Sequence, residues 1–161
     1  MMRSQHRHRG ERGVTTVEFA IVSTVLFLLL FGIIEFGRAL FVVNMLTEAT
    51  RRGVRMAAVC PIGDPTPAEV AVFGNGSSTS PVIDGLSTGN VLIQYLDANG
   101  AVITDPAGDF GAIHYVRAQI VNFSMPLMIP FVAPSLSLSG FPATIPRESL
   151  GVPRSGVITN C

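Results

Sequence analysis

Hydrophobic and polar positions fall into three regimes along this chain. From Val14 to Ile34 almost every side chain is apolar; the 21-residue run is broken only by Glu18, by hydroxyl residues and by Gly32. Sixteen consecutive residues between Glu18 and Glu35 carry no charge. About 20 such residues suffice for a helix to cross the hydrocarbon core of a bilayer, so the pattern predicts a transmembrane helix over 14–36. In the second regime the apolar positions become periodic. Val42, Leu46, Ala49, Gly53, Met56 and Cys60 recur at steps of four and three, which places them on one helical face. Asn44, Glu48, Arg51 and Arg55 line the opposite face, and Glu48 with Arg52 is a favourably oriented i,i+4 pair. Pro61 ends the pattern. One helix from Val14 to Val59 follows, about 70 Å long at its ordinary rise, spanning in its first half and amphipathic over 37–60.

In the third regime, residues 61–161, turn formers and short alternating runs dominate. Residues 61–90 are rich in Gly, Pro, Ser and Thr and read as loop. Val91–Tyr95 and Ala101–Thr104 flank Asp97-Ala98-Asn99-Gly100, which predicts a β-hairpin. Ile113–Ser124 is the strongest strand. Simple alternation puts Tyr115, Arg117, Gln119, Val121 and Phe123 on one face, and His114, Val116, Ala118, Ile120 and Asn122 on the other. Leu136–Leu138 and Ala143–Ile145 read as one further strand interrupted by Gly140 and Pro142. The fold class expected is α+β, with one long N-terminal helix whose amphipathic half covers a small antiparallel β-rich domain. So few strands need such a cover.

Charge changes the picture at the N-terminal end. Net charge is zero, but residues 1–13 carry four Arg against Glu11, while the remainder is acidic by three. That basic leader reads as irregular and, by the bias of Arg near a span, as cytoplasmic. Arg38 lies close to the other flank, with Arg51, Arg52 and Arg55 farther off. The acidic body argues against nucleic acid as a partner, since phosphate binding needs a clustered positive face. The apolar run is followed by Glu35-Phe36-Gly37-Arg38 rather than by a small-x-small cleavage site, so it reads as a retained anchor and not as a secretory signal.

Candidate chemistry is sparse. Cys60 and Cys161 are too few and too far apart for a zinc site. In a segment outside the cytoplasm they fit a disulfide, or else two separate thiols. His6 and His8 read as solvated tail residues, and His114 as a lone histidine on a strand. Asp109-Phe110-Gly111 spells a kinase magnesium motif without the rest of a kinase. Asn75-Gly76-Ser77 and Asn122-Phe123-Ser124 match the glycosylation pattern, which a loop and a strand explain equally well. With no nucleophile–base grouping and no phosphate-cradling loop, the chain does not read as an enzyme, and no cofactor or metal is expected.

Glu18 is the one residue that breaks its local rule. An acid inside a spanning run costs on the order of 2.5–3.5 kcal/mol even on lenient scales. It either snorkels to the interface or has a partner. A basic leader ending in Gly13, then Val14-Thr15-Thr16-Val17-Glu18-Phe19 and an apolar run, resembles a type IV prepilin. Within that superfamily the wording RGVTTVEFAIV…LLLFGIIEFGR resembles the TadE-like proteins of the tight-adherence pilus system. The resemblance is strong over residues 10–60 and looser over 113–150, where Val116-Arg117-Ala118-Gln119-Ile120, Met125-Pro126-Leu127 and Pro146-Arg147-Glu148 carry it.

This resemblance implies that a prepilin peptidase cuts after Gly13, leaving Glu18 fifth in the mature chain. The carboxylate would then offset the new Val14 amine of a neighbouring subunit, with Phe19 completing the motif. It also implies further partners: other pilins or pseudopilins, an inner-membrane assembly platform and membrane lipid. The implied location is the bacterial inner membrane, single-pass, with the C-terminal domain periplasmic or extracellular, and a place in a surface pilus. The rival reading is a stable single-span anchor carrying an extracytoplasmic binding or sensory module, in which Gly13 is incidental. A tethered hydrolase ranks last.

Overall fold

In the computed structural model the described residues are 11–74, 76–128, 135–152 and 161. The fold is α+β. A single helix α1, Glu11–Val59, is followed by a six-residue helix α2, Thr66–Ala71, and by three strands: β1, Val91–Leu96, β2, Tyr115–Pro126, and β3, Ser135–Pro146. The sheet is antiparallel in the order β1-β2-β3. Contacts divide the chain into two units between Arg38 and Ala39.

In the first unit α1 begins at Glu11, inside the stretch expected to be an irregular leader. A single glycine at position 13 costs a helix only about 1 kcal/mol, too little to stop one this long. From Val14 to Ile34 nearly all of the large apolar side chains are exposed, and none of the most apolar window is buried. Such a surface suits a medium as apolar as itself, in which a helix satisfies its own backbone polar groups. Phe27 and Phe31 stack one turn apart, with ring centroids 6.2 Å from each other.

In the second unit the remainder of α1 is the spine. Its buried stripe runs through Val42, Leu46, Ala49, Gly53 and Cys60 as expected, with Ala57 in place of the half-buried Met56, and widens to Thr50, Val54 and Ala58. Two clusters build the core. One joins Val42 and Leu46 to Val72, Ile83, Leu86, Ile120, Phe123 and Met125. The other joins Val54, Ala57 and Ala58 to Tyr95, Ile113, Val116, Ala118 and Leu150. Gly53 sits where α2 crosses the helix. A Cβ there would lie 2.8 Å from the Ala71 Cβ, so only glycine allows that approach.

Several expectations for this unit need correction. Residues 61–90 are not plain loop. Asp64 Oδ1 accepts the Thr66 amide at 2.8 Å, and prolines at 65 and 67 suit a helix start, where missing amides do no harm; α2 forms there. Asn90 Oδ1 accepts from both the amide and the hydroxyl of Ser87 at 3.0 Å, fixing a 3-10 turn over Thr88–Asn90. The Asp97–Gly100 turn does form, with Asp97 Oδ1 accepting the Asn99 and Ala101 amides. Residues 101–104, however, do not make a second strand. They contribute one bridge, Leu96↔Val102, and the Ile103 amide bonded to Tyr95, before Asp105-Pro106 turns the chain away.

The simple alternation expected for β2 also breaks. Val116, Ala118 and Ile120 are buried as that pattern has them, but so are Phe123 and Met125, while Asn122 is exposed. Asn122 has φ 53° and Phe141 of β3 has φ 48°. Each sits at a register shift in the β2–β3 pairing. The two bulges cancel: pairing before Ala118 and after Phe123 follows the same register. β3 is therefore continuous across Gly140 and Pro142. It lies at the sheet edge, where a missing amide is tolerated.

Candidate functional site

Gly13, Val14, Glu18 and Phe19 all lie in α1. Val14 and Glu18 are four residues apart and share one face of the helix. Val14 is 61 % and Phe19 73 % exposed, among the exposed apolar side chains of Val17, Ile21 and Val22. Glu18 is exposed as well, an acid on an otherwise apolar helical surface. Gly13 lies within the helix, with nothing within 4 Å of the position its Cβ would occupy.

At the other end of the run, Arg38 Nη2 donates to Glu35 Oε1 at 2.6 Å. Glu35 is only 8 % exposed, so its charge is both covered and compensated. Between the two acids, the Thr24 hydroxyl donates to the Ala20 carbonyl one turn back, which lets a hydroxyl sit in an apolar surface at little cost.

In the second unit Cys60 and Cys161 form a disulfide, with Cα atoms 5.7 Å apart. The C-terminal end of α1 is closed by residues far along the chain. The Glu148 and Leu150 amides donate to Ala58, and the Gly151 amide and Ser149 hydroxyl donate to Val59. These bonds satisfy carbonyls that have no partner within a helix. Asp64 accepts the Cys161 amide at 3.4 Å beside its bond to Thr66. Bonds from the Thr66 hydroxyl and amide hold its carboxyl below the usual range, and the Cys161 amide adds to them.

Two surface grooves lie among the described residues. One of about 360 Å³ lies between Thr47, Thr50, Arg51 and Arg55 of α1 and Phe141–Ile145 of β3. The other, of about 520 Å³, runs along β1 beside Asp64, Pro67, Tyr95 and Val102. Burial pushes the Tyr95 phenol up, with Asp64 adding to it. Neither groove brings a nucleophile to a base, and among the described residues no three His, Cys, Asp or Glu side chains gather. His114 is exposed, and its backbone is bonded to Leu96 and Arg147. Phe110 of the Asp-Phe-Gly triplet lies under the Arg147 guanidinium, which also bonds its carbonyl. His6, His8 and Asn75 lie outside the described residues.

Sequence reasoning had no signal for the distant cap on α1. Apart from the Ser149 hydroxyl, its donors are backbone amides, which any residue but proline carries.

A family model described as TadE-like protein matches residues 13–55, the family that the sequence itself resembles. The matched segment opens on Gly13 and takes in the exposed apolar run, Glu18 and most of the buried stripe. No curated protein and no solved structure matches the chain.

Proposed function

We propose that this chain is a pilin-like protein of a bacterial tight-adherence pilus system, a pseudopilin or minor pilin acting in pilus assembly and surface adhesion. The TadE-like match supports a pilus-associated role, and the apolar half of α1 fits a single-pass membrane anchor. In the finer reading residues 1–13 are a cytoplasmic leader, residues 14–36 span the inner membrane, and residues 37–161 stand outside it. A prepilin peptidase removes the leader after Gly13. Other pilins, the assembly platform and lipid are its partners, and the role is structural rather than enzymatic.

The observation that carries this reading is Glu18, an acid exposed on an otherwise apolar helical surface five residues after Gly13. A carboxylate there is costly unless compensated. Cleavage after Gly13 creates an amine on Val14, one helical turn away, at an N-terminus whose dipole also favours a negative group. In an assembly that amine belongs to a neighbouring copy, so each new terminus meets an acid.

Co-expression with a prepilin peptidase, read by intact mass, tests it. The expected result is loss of thirteen residues, abolished by Gly13→Ala. An uncut chain beside an active peptidase overturns the processing and leaves a stable anchored module.

A further inference from the structure

We propose that the groove between α1 and β3 receives residues 101–105 of a second copy of this chain, so that copies join side to side. The inference concerns the second unit alone and rests on neither membrane anchoring nor cleavage after Gly13.

The receiving groove is basic beside apolar surface. Arg51 and Arg55 of α1 and residues 141–145 of β3 line it, and Val54 and Ile145 supply the apolar part. This stretch of α1 carries Arg51, Arg52 and Arg55 against a single acid, Glu48. Arg52 takes that acid at 2.9 Å, whereas among the described residues Arg51 and Arg55 form no ion pair. Both are exposed. Arg117 adds positive charge, since its Nε donates to Thr144 of the same groove at 3.2 Å. Such a surface suits an acid carried next to an apolar side chain.

Strand addition does not suit this edge. The Arg147 amide donates to the His114 carbonyl, so by alternation residues 142, 144 and 146 turn their backbone groups away from β2. Pro142 and Pro146 have no amide to give, which interrupts any ladder after one donor. Side chains must make the contact.

The opposite edge of the sheet has the complementary make-up. The order β1-β2-β3 puts β1 at the far side, and residues 101–105 run along it. The Ile103 amide fastens them to Tyr95, and the Ala101 carbonyl accepts the Asp97 amide. Val102 is 49 % exposed, and Thr104 and Asp105 are exposed with it. Asp105 Oδ1 accepts the Gly108 amide at 3.0 Å, which steadies the carboxylate. Asp64 shares a groove with Val102 and Thr104, and no Arg lines that groove. Val102 therefore matches the apolar surface on the β3 side, and Asp105 matches Arg51 and Arg55.

Two like edges repel, so the contact joins unlike surfaces. A copy docked by one edge still offers the other, and the contact can repeat from copy to copy.

Photo-crosslinking of the full-length chain in membranes tests the assignment. Benzoylphenylalanine replaces the exposed Thr144 in one copy, a second copy carries a different tag, and adducts are mapped by mass. Adducts joining position 144 to residues 97–106 of the other copy are expected. Arg51→Glu with Arg55→Glu in the crosslinker-bearing copy should cut them severalfold. The same pair of changes in the other copy should leave them unchanged, because that copy contributes its acidic edge. Equal urea midpoints for the variant and wild type show that the loss is not one of folding. If the pair unfolds the chain, Arg51→Gln with Arg55→Gln takes its place, with the same asymmetry expected. Adducts to β3 of the other copy, to other proteins or to the same chain alone overturn the inference. So do absent adducts, and an equal loss whichever copy is changed.

Discussion

The Asn90 side-chain amide donates to the main-chain carbonyls of both Val121 and Asn122, each at 3.2 Å. It thereby pins the β-bulge at which β2 shifts its buried phase. Because Asn90 Oδ1 also receives the Ser87 amide and hydroxyl, one side chain ties the turn before β1 to the irregularity in β2.

Asn122 adopts φ 53°, and that left-handed conformation costs most side chains roughly 1–2 kcal/mol. Its contacts with Asn90 use its backbone, so its side chain can be changed cleanly. Asn122→Val is expected to destabilise the second unit by about 1–2 kcal/mol, and Asn122→Gly to leave it near wild type. Urea unfolding of the detergent-solubilised chain measures both.

This bulge marks where sequence reading stops. The long helix, its Pro61 end and its buried stripe were legible because a period of 3.6 and a proline are local signals. So was the Asp97–Gly100 turn. The reversal at Asn122 was not, because Val121 and Asn122 continue an ordinary alternation and the compensating residue, Phe141, is nineteen positions later. α2 was in part legible: Asp64-Pro65-Thr66-Pro67 is helix-start chemistry that a Gly- and Pro-rich neighbourhood disguised. Of the candidate site, the Gly13-to-Glu18 spacing was plain in the sequence, since it is a distance along the chain. The exposure of Glu18 and of the apolar residues around it needed coordinates.

The disulfide spans a separation of 101 residues. In the chain-entropy model closing such a loop stabilises by roughly 4–5 kcal/mol. Cys161 is exposed and Cys60 fully buried, so Cys161→Ser removes the bond without disturbing the core. A loss of about that size is expected in denaturant unfolding, and dithiothreitol should bring wild type to the same midpoint.

Asp64 titrates below its ordinary value of 3.8 because the folded chain bonds its charged form. A carboxyl depressed on folding contributes stability above its unfolded pKa and loses it as pH falls through the folded value. Wild type should therefore lose stability more steeply than Asp64→Asn between about pH 5 and pH 2. The difference should be small, because the group is solvated. Glu48 and Asp97 are depressed too, by the Arg52 side chain and the Ala101 amide respectively. Their slope is common to both chains, so the comparison isolates Asp64. Unfolding midpoints across that range give the answer.

Glu18→Ala should leave the leader removable while reducing assembled pili severalfold. Intact mass reads the first effect and filament counts by electron microscopy the second. Wild-type filament numbers with that substitution would rule out the acid–amine pairing.

The cap on α1 sets an order of events. Ala58 and Val59 find their hydrogen-bond donors some ninety positions later, at residues 148–151. A nascent chain that has emerged only as far as β3 therefore leaves that helix terminus open to water. Completion of this unit must wait until residues 148–151 have emerged as well.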